Sequence, residues 1–205
     1  PLFLALWIVM MVAIMFPTAA PMILMFARAH RQRREREQAF VPTWIFAGSY
    51  LLVWSATGIA AYFLALAGDE LADRSTWLIE NAGRVGGVVL IIAGLYQISP
   101  LKQACLNKCR SPMAFILMSW RDGYPGSFRM GLEHAVYCLG CCWLLFVILF
   151  PLGVMNIAVL ALITILIFME KSTGVGRQVA YGAAAGLVAY GAAVILVPTA
   201  LPTIM

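Results

Sequence analysis

The sequence predicts an all-α polytopic membrane protein, a bundle of about six transmembrane helices forming one domain over residues 1–205. Three observations carry that expectation. Only 11% of the 205 residues are charged (14 Lys and Arg, 9 Asp and Glu), while 63% are hydrophobic; a soluble domain carries roughly 25% charged residues. The charges are clustered, with none in 1–27, 38–68, 85–101, 134–169 or 178–205. The loops between these stretches alternate between basic and non-basic character. A bilayer core of roughly 30 Å is crossed by about 20 apolar residues, so each uncharged stretch supplies at least one span. No stretch between them is long enough to bury a core of its own, which excludes a separate soluble catalytic module.

Span one covers 2–27 and contains Pro17 and Pro21, whose missing amide protons free carbonyls inside the helix. The first residue is Pro1, so the natural N-terminus is expected upstream. The stretch is too long for a removable signal peptide and lacks a small-residue cleavage pattern. Its loop holds Arg28, Arg31, Arg33, Arg34 and Arg36. Span two, 44–67, leads into Asp69, Glu70, Asp73 and Glu80 set against Arg74 and Arg84. Span three, 83–99, is followed by Lys102, Lys108, Arg110, Arg121 and Arg129. Inside that segment, 112–120 is apolar but only nine residues long, so it is expected to be interfacial or re-entrant. The uncharged stretch 134–169 is too long for one crossing at about 1.5 Å per residue. Phe150-Pro151-Leu152-Gly153 reads as a turn, which splits it into span four (130–150) and span five (153–169). Lys171 and Arg177 precede span six, 178–198.

Cytoplasmic loops collect Lys and Arg, so this alternation places both termini on the outward side. The run Arg31-Gln32-Arg33-Arg34-Glu35-Arg36 then reads as a juxtamembrane anchor for anionic lipid headgroups, and nucleic acid is not an expected partner. Glu170-Lys171 is expected to form an ion pair at the membrane interface, and Glu133 to pair with a loop arginine. Span six carries Gly182-x-x-x-Gly186 among alanines. Small residues at this spacing let helix backbones approach closely, either inside the chain or across a homo-oligomer face.

All five cysteines lie in 105–142. His134, Cys138, Cys141 and Cys142 stand three or four residues apart, which puts them in one stripe on a helix. Cys105 and Cys109 make a second i,i+4 pair in a segment assigned to the same side. Soft sulfur with imidazole suits Cu(I) or Zn(II), and carboxylate-poor surroundings argue against Mg, Ca and Mn. Buried cysteine is also an ordinary small packing residue. Density and the matching histidine favour metal ligation over packing or redox chemistry. One Cu(I) held by two thiolates leaves one negative charge, which Lys108, Arg110 or Arg129 could offset; a tetrahedral zinc site from Cys105, Cys109, Cys138 and His134 is the alternative. Met11, Met15, Met22 and Met25 share one face of span one, and thioethers favour copper. They form a candidate relay, with Met155 beyond the Pro151 turn as a further candidate.

With these residues in hand, the chain resembles the DUF2182 family of bacterial integral membrane proteins, described as metal-binding and copper chaperone-like. The resemblance runs through Ile14–Met22, Gly48–Trp54, Ala93–Lys102, Cys105, Cys109–Pro112, His134–Trp143, Gly153–Asn156 and Glu170-Lys171. Ala135 stands where that family often has glycine. The resemblance implies metal association and a bacterial inner-membrane location. Together these features predict a non-enzymatic protein that binds Cu(I) for copper handling as a chaperone, in transfer or in transport, with a copper enzyme or larger membrane complex as partner. The rival readings are a membrane thiol-disulfide oxidoreductase and a non-catalytic subunit or assembly factor. No nucleotide-binding or Rossmann motif is visible; Gly174-Val175-Gly176 lacks the third glycine and a preceding strand.

Overall fold

The computed structural model describes residues 2–154, 156–197 and 201. The chain is 88% helical, with no strand among the described residues. The helices are α1 (Leu2–Glu35), α2 (Thr43–Arg74), α3 (Thr76–Glu80), α4 (Ala82–Gln97), α5 (Pro100–Arg110), α6 (Pro112–Ser119), α7 (Gly123–Val147), α8 (Leu149–Leu152), α9 (Ile157–Ser172) and α10 (Gly176–Leu196). Helices α1, α2, α4, α7, α9 and α10 occupy the six positions at which spans are expected. Four segments are each long and apolar enough to cross a membrane: α1, α2, α10, and α7 continued through α8. Helices α4 and α5 make a fifth if counted together as one span bent by 60°.

Helix α9 has 16 residues and starts later than the expected 153–169. The reason is local. Gly153 takes φ of 93°, a left-handed conformation that glycine adopts without a Cβ clash. Asn156 then caps the new helix, its side-chain oxygen accepting from the amides of Ala158 and Val159 at 3.1 and 3.3 Å.

The chain divides into two compact units. One comprises Pro1–Ala61 with Ala104–Cys141, the other Tyr62–Gln103 with Cys142–Met205, so the divisions fall inside α2, α5 and α7. The core of the first unit is Met22, Phe26, Phe46, Phe115, Ile116 and Met130. Helix α6 turns Phe115 and Ile116 into it and leaves Leu117 and Met118 exposed, as befits a short apolar segment that does not cross. Gly131 of α7 lies against α2, where a Cβ would strike the Ser49 hydroxyl and the Phe46 carbonyl.

The basic end of α1 docks on the turn after α6. Arg33 pairs with Asp122 at 2.8 Å and lies over the Trp120 ring. His30 stacks on Trp120 with centroids 5.0 Å apart, and its Nδ1 accepts from the Val41 amide at 3.1 Å. An imidazole accepting at Nδ1 is neutral. Burial first, and then the neighbouring Arg33 charge, hold its pKa below the usual histidine value, with Asp122 opposing. The folded protein therefore takes up this proton less readily than the unfolded chain. Its stability is fully present above the unfolded value of 6.5 and declines as pH falls from there through the folded value. Thermal melts of detergent-solubilised protein between pH about 8 and about 5 are expected to show a falling midpoint that flattens in His30→Gln. An identical slope in the variant would dismiss His30 as the cause.

In the second unit, α4 and α10 meet backbone to backbone. A Cβ on Gly191 would lie 2.6 Å from the Gly87 carbonyl oxygen, and one on Gly87 would lie 2.7 Å from that of Gly191. Gly94 faces the Ala184 carbonyl in the same way. The close approach expected of α10 is thus made through Gly191, whereas a Cβ at Gly182 or Gly186 would meet no atom within 4 Å. The glycine pair of the sequence motif faces away from the intramolecular contact.

Two expected ion pairs have different outcomes. Glu133 pairs with Arg121 and Arg129 at 3.3 and 3.2 Å, as expected. Glu170 corrects the expectation of an interfacial position: its Oε2 accepts from Lys102 Nζ at 2.7 Å, and both side chains are buried. Lys102 also donates to the Gln97 side-chain oxygen. Counted from the sequence as a loop cation, Lys102 is drawn inside by a carboxylate 68 positions away.

Candidate metal centre

Helix α7 carries the thiol stripe. Over Gly123–Val147 it runs without a break, and its period of 3.6 residues brings positions 138, 141 and 142 to one side. The sulfurs of Cys138, Cys141 and Cys142 all lie within 4.8 Å of one another, and all three residues are buried. Because one uninterrupted helix holds them, that spacing is a property of the helix itself. A metal–sulfur bond of about 2.3 Å separates two ligand sulfurs by at most about 4.6 Å, so the 4.8 Å bound on the cluster is close to that of a thiolate metal site. Cys141 Sγ donates to the Cys138 carbonyl oxygen at 3.1 Å, which fixes its rotamer along the helix.

The second thiol pair is on α5. Cys105 lies against Gly140, where a Cβ would come within 2.7 Å of its sulfur. Glycine at 140 therefore lets this thiol approach α7, on the side of the helix away from Cys138 and Cys142, since residues two apart do not share a helix face. Cys109 is buried one turn further along α5 and stands outside the 4.8 Å group, as do Cys105 and His134. All five cysteines are thiols in the structure.

His134 is buried one turn before Cys138 and enclosed by aromatic rings: Tyr50 at 5.4 Å and Phe46 at 6.0 Å in stacked geometry, Phe115 edge-on at 5.5 Å. The Tyr50 hydroxyl stands 3.1 Å from Cys138 Sγ. Tyr50 escaped the sequence reading because an aromatic residue in an apolar span looks like packing, and its partner is 88 positions away.

On α1, Met11, Met15 and Met22 are buried on one face with Ile14, Thr18 and Phe26, while Met25 is half-buried. The Thr18 hydroxyl donates to the Met15 carbonyl at 3.0 Å and lies 3.9 Å from its sulfur. Met155 lies outside the described residues.

Helices long and apolar enough to cross a membrane, one of them bearing a buried cluster of three thiols, define a helical protein fitted for soft-metal binding. A family model described as "PpoB2: Copper chaperone" matches residues 4–194, and the chain belongs to that family. No curated protein and no solved structure matches it.

Proposed function

We propose that the protein is an integral inner-membrane carrier that binds Cu(I) at Cys138, Cys141 and Cys142 and hands it to a copper enzyme or larger membrane complex. The observation that carries this reading is the group of three buried sulfurs within 4.8 Å on one helix, in a chain of a copper chaperone family. Copper is the cargo. Three soft donors without a carboxylate favour Cu(I) over harder ions. Structural zinc calls for four tetrahedral ligands, and the cluster itself supplies three. Thiolates buried in a low-dielectric setting need a cation to compensate them, and the single positive charge of the cargo offsets one of the three.

In this reading Cys105 and Cys109, one turn apart on α5, are the thiols that receive or surrender the ion. His134 is a reserve ligand, and the buried methionines of α1 form a relay. The protein passes the metal on without making or breaking covalent bonds of a substrate, which supports a non-enzymatic role. The basic loops support an orientation with both termini outward, in one integral domain. The resemblance to DUF2182 points the same way, and the outward-facing Gly182/Gly186 side of α10 is the surface for self-association.

Copper analysis of natively purified protein is the test. Wild type is expected to retain copper, and Cys138→Ser with Cys142→Ser to lose most of it. Near-zero copper in wild type, or unchanged occupancy in the double variant, would defeat the proposal.

A further inference from the structure

We infer that Tyr50 is a positioning residue for Cys138, holding its sulfur through the phenol hydroxyl and thereby setting how tightly Cu(I) is bound; this rests on the copper-binding reading of Cys138. Tyr50 is completely buried on α2. Its ring stacks on the imidazole of His134 at an interplanar angle of 25°, and its hydroxyl reaches Cys138 Sγ at 3.1 Å. One side chain from another helix thus touches two consecutive residues of the stripe, its face against the first and its hydroxyl against the second.

The reach is set by the backbones. Gly131 brings α7 against Ser49 and Phe46 of α2, and Tyr50 stands next in the α2 chain. An aromatic group needed only for volume would be served by phenylalanine. A phenol buried in an apolar core is costly unless its oxygen finds a partner, and here it is aimed at a candidate ligand.

The chemistry follows from what each group can do. A metal-bound thiolate can only accept a hydrogen bond, whereas a protonated thiol can also donate one. A phenol hydroxyl serves in either role, so the Cys138 sulfur keeps this partner whether it holds metal or not. In the loaded state the O–H dipole points at the sulfur and stabilises its negative charge, an effect strengthened by the low local dielectric. It also fixes the sulfur's direction. Removing such outer-shell partners typically costs 10–100-fold in metal affinity.

Cu(I) affinity is measured by competition with the chromophoric chelator bicinchoninate, on detergent-solubilised wild type and Tyr50→Phe. The variant is expected to bind about 10–100-fold more weakly, with unchanged helicity and a displaced Cu(I)–thiolate absorption band. A merely structural role would leave that band in place. Equal affinity and an unmoved band overturn the inference. Should Tyr50→Phe fail to fold, a fluorinated tyrosine at position 50 keeps the ring and makes the hydroxyl a stronger donor. Tighter binding is then expected, and unchanged affinity overturns the inference. A wild type that takes up no Cu(I) overturns the copper reading. The infrared S–H stretch of Cys138 in metal-free protein, identified by its loss in Cys138→Ser, separates the two failures. If Tyr50→Phe moves that band, the contact stands and the copper reading alone is at fault.

Discussion

Glu170→Gln is expected to destabilise the folded protein by about 3–5 kcal/mol, the usual cost of breaking a buried ion pair from one side. Lys102 is fully buried and Glu170 nearly so, and they meet at 2.7 Å. Neutralising the carboxylate leaves an ammonium group without its counter-charge in an apolar unit, with only the neutral amide oxygens of Gln97 and of the new glutamine in place of the carboxylate. The unpaired charge, more than the lost attraction, accounts for the cost. Replacing both partners with apolar residues of similar size, as in Lys102→Met with Glu170→Leu, removes charge and counter-charge together and is expected to recover most of the loss. Denaturant titration in mixed micelles measures both variants. A single variant within about 0.5 kcal/mol of wild type, the range of an ordinary surface change, would show that the pair is not buried as described.

The second large effect is expected at Gly131. In Gly131→Ala the new methyl group meets the Ser49 hydroxyl and the Phe46 carbonyl. A side chain could rotate away; the carbonyl belongs to the α2 backbone, so the helices themselves must separate. Overpacking of this kind costs about 1–3 kcal/mol and occasionally more, and Gly131→Ala belongs at the upper end because backbone is in the way. Its natural control is Gly182→Ala, where the added methyl meets nothing within 4 Å and the change is expected to stay within about 0.5 kcal/mol. Thermal melts of the two variants side by side test the contrast. A destabilised Gly182→Ala together with a weakened oligomer would instead show that α10 is packed against a second copy.

The helical class and the places where helices fall were legible because apolar runs and charge gaps are local signals, and α1, α2 and α7 follow them. The thiol cluster was equally legible, since the spacing of Cys138, Cys141 and Cys142 needs only helical geometry to bring the sulfurs together. Residues that meet across helices were not. Lys102 sits among other basic residues in the sequence, and nothing near it announces Glu170. Tyr50 has the composition of its apolar neighbours and gains a role only when Gly131 lets α7 approach. Gly182 and Gly186 carry the familiar spacing, yet the contact is made by Gly191 with Gly87, because which glycine touches depends on the facing helix as much as on its own. The 60° bend between α4 and α5, at the end of the expected span three, was foreshadowed only by Pro100, which begins α5.

The turn at Gly153 has a bearing on how the chain enters a membrane. Between His134 and Met169 there is no Asp, Glu, Lys or Arg. The tip joining α8 to α9 closes with a glycine backbone turn and an asparagine whose side chain occupies two of the leading amides of the next helix. A hairpin built this way carries no ionised group across the hydrocarbon and brings part of its own solvation for the amides at its leading edge. The turn is thus as much at home in an apolar phase as in water, and Gly153 and Asn156 are what make it so.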